Sequence, residues 1–262
     1  MSMTKSLKQL TALYSPLDIE YNQAMSGSYS DLSVRGEDCE VIAGLKDGKI
    51  NGFWRPMVAV GNDKALQTQI EKLWLISQDI TYMDFLIGGE LSVISRFLLK
   101  HGYQARPYYT QIIDKTKPID VLHSEIRKSY KSLVAKDEQI TYGTIDDYRI
   151  IHDKYGKHKR DDRTWQIQAE MIEREEAFVL KDGSDAAVLI YDNDYTTYYA
   201  GGRSDPEKNT HALLWQAIIR SNGNSFELGE QVFSGDPKLV NISYFKAGFG
   251  GQTMTRLVLE KP

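Results

Sequence analysis

The residues best suited to chemistry lie near the end of the chain, in the stretch NISYFKAGFGG from Asn241 to Gly251. Lys246 could place a fixed positive charge beside a developing oxyanion or a donor phosphate, as acyl transfer to an amine requires. Tyr244 could protonate the leaving group of the same reaction. Both residues are therefore candidate catalytic groups.

Each of these two side chains also fits a structural role. The helix dipole favours a lysine at the C-terminal end of a helix, so Lys246 could be a solvated surface charge. Tyr244 could equally be a half-buried core aromatic. Residues two apart on a helix do not share a face. Tyr244 and Lys246 should therefore not both point into one pocket, and Lys246 is the stronger candidate.

A second group of candidate residues is basic and aromatic. The run YGKHKRDDRTW contains arginines whose guanidinium forks match phosphate oxygens and could clamp the diphosphate of a nucleotide-linked sugar. A solvated loop in which Asp161 and Asp162 pair with these arginines is the structural alternative. The segment YYAGGRSD adds an aromatic and an arginine at a strand end. The candidate substrate-binding residues are Arg160, Arg163, Trp165, Tyr199 and Arg203.

Metal and disulfide chemistry find little support in the sequence. His152 and His158 lie six residues apart with no cysteine or carboxylate cluster at ligand spacing, so we expect no metal site. Cys39 is the only cysteine, which excludes an intrachain disulfide and fits a reducing cytoplasm. Its surroundings, RGEDCEVIAGL, indicate a buried structural thiol at the approach to a strand.

Composition narrows the class of protein. The 262 residues have a net charge of -4, which argues against broad binding to DNA or other nucleic acid. No apolar run approaches the roughly 20 residues of a membrane-spanning helix. The first residues, MSMTKSLKQLTALYSPLD, lack the apolar core of a secretory signal. We therefore expect a cytoplasmic protein without an integral membrane segment, whose oligomeric state the sequence leaves open.

The two halves of the chain share an order of parts. Each has a hairpin around an Asp-Gly turn, a helix with a tryptophan, a short strand, a helix that ends before glycine, and a final strand. FLLKHGYQA and SYFKAGFGG occupy the same place in this order. The pattern predicts a duplicated domain, with a boundary at DKTKPID. The expected lobes are residues 1–117 and 118–262.

This order of elements resembles the GNAT acyltransferase fold. The pattern of Asn241, Tyr244, Gly248 and Phe249 is similar to the last helix and following strand of that family, in which the tyrosine often serves as general acid. The resemblance implies an α+β fold of tandem GNAT-like lobes, each with a mixed central sheet flanked by helices.

Two such lobes resemble the Fem-type aminoacyltransferases of cell-wall synthesis. Three stretches carry this narrower likeness: TQIID followed by IRKSYKSLVAK, then YYAGGRSDPEKNTHALLWQAI, then FKAGFGG. The resemblance implies that Phe245 and Lys246 lie in the donor site, where the phenylalanine shapes the pocket. It also implies that a ligand approaches the backbone at Gly248, Gly250 and Gly251.

The resemblance predicts transfer of an acyl or aminoacyl group to an amine of a cell-envelope precursor, such as a muropeptide or a nucleotide-linked sugar. The donor would be aminoacyl-tRNA or acyl-CoA, with no tightly bound cofactor. Two departures bear on the donor. The chain lacks the helical arm that some Fem enzymes use around transfer RNA, and it lacks the glycine-rich loop that cradles the pyrophosphate of coenzyme A. We therefore expect weak coenzyme A binding.

Two alternatives remain open from the sequence. The first is an acyl-CoA-dependent N-acyltransferase of surface-glycan (polysaccharide) biosynthesis. The second is a non-catalytic GNAT-fold protein that binds a ligand or partner.

Overall fold

A computed structural model describes residues 5–135, 139–156 and 159–262, and these form an α+β protein, as the sequence predicts. The first part of the chain contains α1 (Pro16–Ser26), β1 (Ser30–Asp31), β2 (Val34–Arg35), β3 (Cys39–Ile42), β4 (Gly44–Lys46), β5 (Lys49–Asn51), β6 (Val58–Gly61), α2 (Asp63–Ile76), β7 (Asp79–Ile80), β8 (Tyr82–Asp84), α3 (Val93–Lys100) and β9 (Gln104–Asp114).

The second part contains α4 (Ile119–Glu125), α5 (Lys131–Val134), β10 (Ile140–Gly143), α6 (Ile145–Tyr155), α7 (Asp162–Glu173), β11 (Ala177–Asp182), β12 (Ala186–Asp192), β13 (Thr196–Ser204), α8 (His211–Arg220), β14 (Ser225–Glu230), α9 (Pro237–Ala247) and β15 (Gln252–Glu260). Short 3-10 helices lie at Leu7–Gln9, Ile87–Gly89 and Lys128–Tyr130.

The chain divides into two units. Unit 1 consists of Met1–Leu10, Tyr14–Tyr109 and Thr255–Pro262. It contains a sheet in the order β1-β4-β5-β7, a second in the order β2-β3-β6, and an antiparallel pair between β8 and β15. Its core includes fully buried Ile50, Ile70 and Ile80. The apolar face of α2 therefore closes one side of this small core.

Unit 2 consists of Thr11–Leu13 and Thr110–Met254. Its strands follow the order β10-β11-β12-β13-β14-β9. All are antiparallel except β13 and β14, which run parallel because α8 crosses between them. Helix α8 buries Leu213, Leu214, Trp215 and Ile218 in the core of this unit, which fixes its position beside the sheet.

Both parts of the chain follow the order hairpin, strand, helix, strand, helix, strand. In the first part this is β4–β5, β6, α2, β8, α3 and β9; in the second it is β11–β12, β13, α8, β14, α9 and β15. Helices α3 and α9, which end at FLLKHG and YFKAG, occupy the same place in the order. A parallel contact also follows the crossover helix in each case, at Met57↔Tyr82 and at Thr197↔Phe226.

The units differ from the lobes expected at 1–117 and 118–262 in three places. Thr11–Leu13 belong to unit 2. Residues 110–117 also belong to unit 2, where residues 110–114 of β9 pair with β14 from Asp114↔Ser225 to Thr110↔Glu230. Residues 255–260 of β15 belong to unit 1, because they pair with β8 at Leu257↔Asp84. Each part of the chain therefore gives the end of its last strand to the other unit, which element order alone does not reveal.

Within the described part of the chain, we find no helix whose length and hydropathy would let it cross a bilayer.

Candidate active site

The candidate site of unit 2 lies where two parallel strands part. Strands β13 and β14 pair only from Thr196↔Ser225 to Tyr198↔Glu227, although β13 continues to Ser204. Each strand has a register shift just beyond that point, β13 against β12 and β14 against β9. Such bulges bend a strand, so the carboxyl ends of β13 and β14 diverge and open a cleft.

Lys246 lies in this cleft, in the last turn of α9. Its Nζ is 6.0 Å from the ring centroid of Tyr199, on β13. A Cβ atom added to Gly229, on β14, would lie 3.5 Å from the same Nζ. The ammonium group is therefore close to both diverging strands. Among the described residues it has no hydrogen bond or ion pair.

Two carboxylates act on this lysine from β14. Burial lowers the pKa of Lys246 below its ordinary 10.5, and the charges of Glu230 and Glu227 oppose that shift. Glu227 is buried and accepts a hydrogen bond of 2.8 Å from Thr110 Oγ1. The site thus holds a half-buried lysine whose charged form is favoured by two acids that do not pair with it directly.

A cavity of about 100 Å³ adjoins β13 and brings together three of the predicted residues. Tyr199 and Arg203 line it from β13 and Phe245 from α9, opposite Leu213 and Leu214 of α8. Burial raises the pKa of the Tyr199 hydroxyl. Phe245 packs edge-on to His211 and Phe249, with ring centroids 5.0 and 5.3 Å apart. It therefore shapes the wall of the cavity.

Tyr244 does not share this cleft. Its side chain is 64% exposed, and its ring lies 3.7 Å from the guanidinium carbon of Arg127. It points away from Lys246 because residues two apart face different sides of a helix. The structure therefore does not bring the predicted general acid together with the predicted cation.

The three glycines after α9 are closely packed. A Cβ atom at Gly248 would overlap the ring of Tyr130, and one at Gly251 would overlap the carbonyl oxygen of Ile112. At Gly250 it would lie 3.1 Å from Glu125 Cβ. Packing and the positive φ of 87° and 79° at Gly250 and Gly251 therefore account for glycine at these positions. The approach of a ligand to their backbone stays a prediction.

A second cluster lies between α6, α7 and β13. Arg160 donates a hydrogen bond of 2.9 Å to Gln168 Oε1, and its guanidinium carbon lies 4.9 Å from the ring of Trp165. The rings of Trp165 and His152 meet edge to face at 5.2 Å. Burial first, then the charges of Arg160 and Arg203, lower the pKa of His152 to about 4. The cluster therefore contains two guanidinium groups beside a neutral histidine.

Two buried polar atoms of this cluster have no hydrogen-bond partner in the described residues. They are Nδ1 of His152, which lies 3.6 Å from Asp153 Oδ1, and Nε1 of Trp165, in side chains that are almost fully buried. Arg163 lies apart, exposed on α7, with NH1 3.7 Å from Glu170 Oε1. Of the two arginines predicted to clamp a diphosphate, Arg160 therefore lies in the cluster, and Arg203 acts on the same histidine through its charge.

Several residues of the site escaped the sequence analysis. Glu227, Gly229 and Tyr198 belong to it because the bulge in β14 gives Gly229 a φ of 80° and brings its backbone to the Tyr198 hydroxyl. A glycine inside a short strand, in FELGE, is a sequence signal for such a bulge. His152 was considered in the sequence only as a metal ligand, and its place in this cluster depends on how α6, α7 and β13 pack. His158 and Lys157 lie outside the described residues. Within those residues no group of acids, histidines or cysteine could hold a metal ion.

Comparison with known proteins adds to this geometry. No family model matches the chain, and no curated protein matches it. Three solved structures share its fold at low identity. FemX has a TM-score of 0.67 at 11% identity, over 97% of this chain and 92% of that one. L-PGS from Bacillus licheniformis has a TM-score of 0.59 at 11% identity, over 98% and 94%.

The third is the C-terminal domain of a protein described as a lysylphosphatidylglycerol synthetase, from Agrobacterium fabrum. Its TM-score is 0.58 at 13% identity, over 97% of this chain and 90% of that one. At such identities the likeness establishes the fold. The structural likeness to these three proteins extends over nearly the whole chain. It therefore confirms the Fem-like, α+β architecture that was predicted from the sequence.

Proposed function

We propose that this protein is an acyl- or aminoacyltransferase that acts on an amine of a cell-envelope precursor, a muropeptide or a nucleotide-linked sugar. The observation that carries the proposal is Lys246, a half-buried ammonium group in the cleft between β13 and β14 without an ion pair in the described residues. The names of the similar structures, FemX and a lysylphosphatidylglycerol synthetase, support the same class of reaction.

The chemistry follows from the charge of this lysine. The acceptor amine attacks the donor carbonyl, and the carbonyl oxygen becomes an oxyanion. The bond from carbon to the leaving oxygen or sulfur then breaks, and the leaving atom takes up the proton that the attacking nitrogen gives up. A fixed cation stabilises the oxyanion more than the neutral carbonyl, which lowers the barrier. Glu227 and Glu230 help to keep Lys246 charged without neutralising it by direct contact.

The acceptor side of the proposal rests on the arginine cluster. Arg160 and Arg203 both act on His152 through their charge, and Trp165 contributes a buried N–H without a partner in the described residues. Guanidinium groups with an additional N–H donor suit a phosphate or carboxylate. We therefore assign the anionic part of the precursor to Arg160 and Arg203.

Substitution of Lys246 tests the proposal. We expect Lys246→Ala to lower turnover by about 10²–10³-fold, because a lost charged contact at an oxyanion has that effect. We expect Lys246→Arg to keep part of the activity, since the charge remains but its shape changes. Turnover is measured by mass spectrometry of the acceptor, and stability by urea unfolding.

Lys238 is the matched control, because it lies on the same helix but is exposed at its first turn. Lys238→Ala should leave turnover unchanged. Normal turnover by Lys246→Ala on the true substrate would show that this lysine is only a surface charge and would remove the basis of the proposal.

The acyl-CoA alternative is tested by the donor. The segment between β13 and α8 contains Asp205 and Glu207, and Asn209 Oδ1 already accepts the His211 N–H at 2.9 Å. Acidic side chains and an already occupied N–H at the start of α8 disfavour a pyrophosphate. Calorimetry should therefore detect weak or no coenzyme A binding, whereas micromolar affinity for acetyl-CoA would favour the acyl-CoA-dependent enzyme. Acceptor binding without turnover on any donor would favour a non-catalytic binding protein.

A further inference from the structure

Three tyrosines at or near the cleft between β13 and β14 differ in where their hydroxyl groups point. Tyr244 is exposed and lies outside the cleft. The Tyr199 hydroxyl turns back along its own strand, where a Cβ atom at Gly202 would overlap it. The Tyr198 hydroxyl approaches β14 instead, where a Cβ atom at Gly229 would lie 3.1 Å from it. Of these three tyrosines, Tyr198 therefore points its hydroxyl to the place where the strands part.

The Tyr198 hydroxyl and the Lys246 ammonium group converge at Gly229. A Cβ atom added to this glycine would lie 3.1 Å from Tyr198 Oη and 3.5 Å from Lys246 Nζ. The φ of 80° places Gly229 in the left-handed region, which the bulge in β14 requires and glycine adopts without strain. The space that a side chain would fill here is therefore bordered by one hydroxyl and one ammonium group.

The backbone of Tyr198 is held at the last paired position before the strands diverge. Its cross-strand partners are Glu227 on β14 and Tyr191 on β12. Glu227 is buried and accepts a hydrogen bond of 2.8 Å from Thr110 Oγ1, which ties β14 to β9. A catalytic group that is in place before the substrate binds speeds a reaction. Both neighbouring strands thus give Tyr198 the fixed position that such a group needs.

We propose that Tyr198 is the proton relay of the transfer reaction. This inference rests on the proposed function and goes beyond it by assigning the group that moves the proton. After the acceptor nitrogen has bonded to the donor carbon, it gives a proton to the Tyr198 oxygen. The Tyr198 hydroxyl gives its own proton to the leaving oxygen or sulfur as the bond from carbon breaks. A phenol oxygen can both donate and accept a proton, so Tyr198 ends the reaction as it began.

Neither Lys246 nor its two acidic neighbours suits the transfer of this proton. Lys246 would lose, on releasing a proton, the charge that stabilises the oxyanion. Glu227 is buried and already accepts the Thr110 hydroxyl, and Glu230 is exposed. The Tyr198 hydroxyl can carry the proton while Lys246 keeps its charge. The two groups that meet at the bulge therefore divide the chemistry between them.

Removal of single oxygen atoms tests the relay. The donor probes are mixed aminoacyl-tRNA and acetyl-CoA, and the acceptor probe is a UDP-linked muropeptide with a free lysine amine. Tyr198→Phe should lower kcat by about 10²–10⁴-fold, the usual contribution of a group that transfers a proton. Its KM should stay within a few-fold of the wild type, because the ring remains. Its unfolding midpoint in urea should also match the wild type.

Tyr195→Phe is the matched control, because Tyr195 is an exposed tyrosine in the turn before β13, and its turnover should be unchanged. A higher KM with unchanged kcat in Tyr198→Phe would show that the hydroxyl only binds substrate and would overturn the relay. A loss of turnover in Tyr244→Phe but not in Tyr198→Phe would overturn it too, in favour of the proton donor that the sequence predicted.

The same assay separates the relay from the proposed function. Normal turnover by Tyr198→Phe beside impaired turnover by Lys246→Ala overturns the relay alone and leaves the proposed function standing. Normal turnover by Lys246→Ala contradicts the proposed function, whatever Tyr198→Phe does. If the wild type transfers no group from either donor probe, the relay and the proposed function are overturned together.

Discussion

At the scale of single residues, His152 shows how burial sets a charge. Its side chain is almost fully buried on α6, where desolvation and the charges of Arg160 and Arg203 hold its pKa at about 4 instead of 6.5. The native protein therefore favours the neutral ring. The unfolded chain binds a proton at this histidine near pH 6.5, whereas the native protein binds it only near pH 4. The free energy of unfolding is therefore at its full value above pH 6.5 and decreases as the pH falls towards 4.

His152→Phe should reduce the sensitivity of the protein to acid. A pKa shift from 6.5 to about 4 corresponds to about 3 kcal/mol of unfolding free energy lost across that window. Phenylalanine has a similar volume, does not titrate and fits beside Tyr148 and Trp165. Urea unfolding at pH 7 and pH 4 gives the loss of unfolding free energy for the wild type and for the variant. The difference between these two losses is due to His152, because the carboxylates titrate alike in both proteins.

His123, which is exposed on α4, provides the control. His123→Phe should leave the acid sensitivity of the wild type unchanged. An equal loss of unfolding free energy between pH 7 and pH 4 in the wild type and in His152→Phe would show that burial of His152 does not cause the acid sensitivity.

At the scale of elements, the end of α9 is governed by close packing. Gly251 has a φ of 79°, and a Cβ atom there would overlap the carbonyl oxygen of Ile112 in β9. Gln111, in the same strand, donates a hydrogen bond of 2.6 Å to the Gly250 carbonyl. The path from α9 into β15 is therefore fixed by contacts with β9, and the glycines make that approach possible.

Gly251→Ala should destabilise the protein more than Gly183→Ala. Gly183, in the turn after β11, has a φ of 59°, but a Cβ atom there would meet nothing within 4 Å. Gly183→Ala should therefore cost only the backbone strain of about 1–2 kcal/mol. Gly251→Ala adds an overlap with main-chain atoms, and we expect about 3 kcal/mol or more. If the two variants lose the same unfolding free energy in urea, the β9 backbone moves to accommodate the added methyl group at little cost.

At the scale of the whole molecule, the two parts of the chain exchange their last strands. Strand β15 completes unit 1 through Val258↔Met83 and Leu259↔Tyr82, and Leu259 is fully buried in the core of that unit. Residues 110–114 of β9 contribute to unit 2 in the same way. The stability of each unit therefore depends on a segment from the other part of the sequence.

Leu259→Ala should weaken unit 1, although the residue is near the end of the chain. A buried leucine replaced by alanine costs about 2–5 kcal/mol. Hydrogen exchange measured by mass spectrometry should show a greater loss of protection in β3 and β6 than in β11 and β12. Leu213→Ala, in the core of unit 2, should show the reverse. The same pattern in both variants would mean that the units do not unfold separately.

The sequence alone determined the local structure. Asp47 and Gly48 predicted a tight hairpin turn, and they have the positive φ angles of 50° and 76° that this turn needs. A helix with a tryptophan and a helix that ends before glycine were predicted in each half, and α2, α8, α3 and α9 occupy these places. Such features depend on residues a few positions apart, so the order of elements could be read from them. The Fem-like fold followed from the resemblance of this order and of three stretches to a known family.

Tertiary structure alone decided which residues meet. Thr110 and Glu227 are hydrogen-bonded across 117 positions of the chain, and the strand exchange places β15 with β8 rather than in the lobe of its own sequence. Arg160, in the loop before α7, contacts Gln168 and Trp165, whereas Arg163, in the first turn of α7, is exposed beside Glu170. Periodicity fixes the face of a single element, but the partner of that face depends on burial of apolar surface across the whole chain.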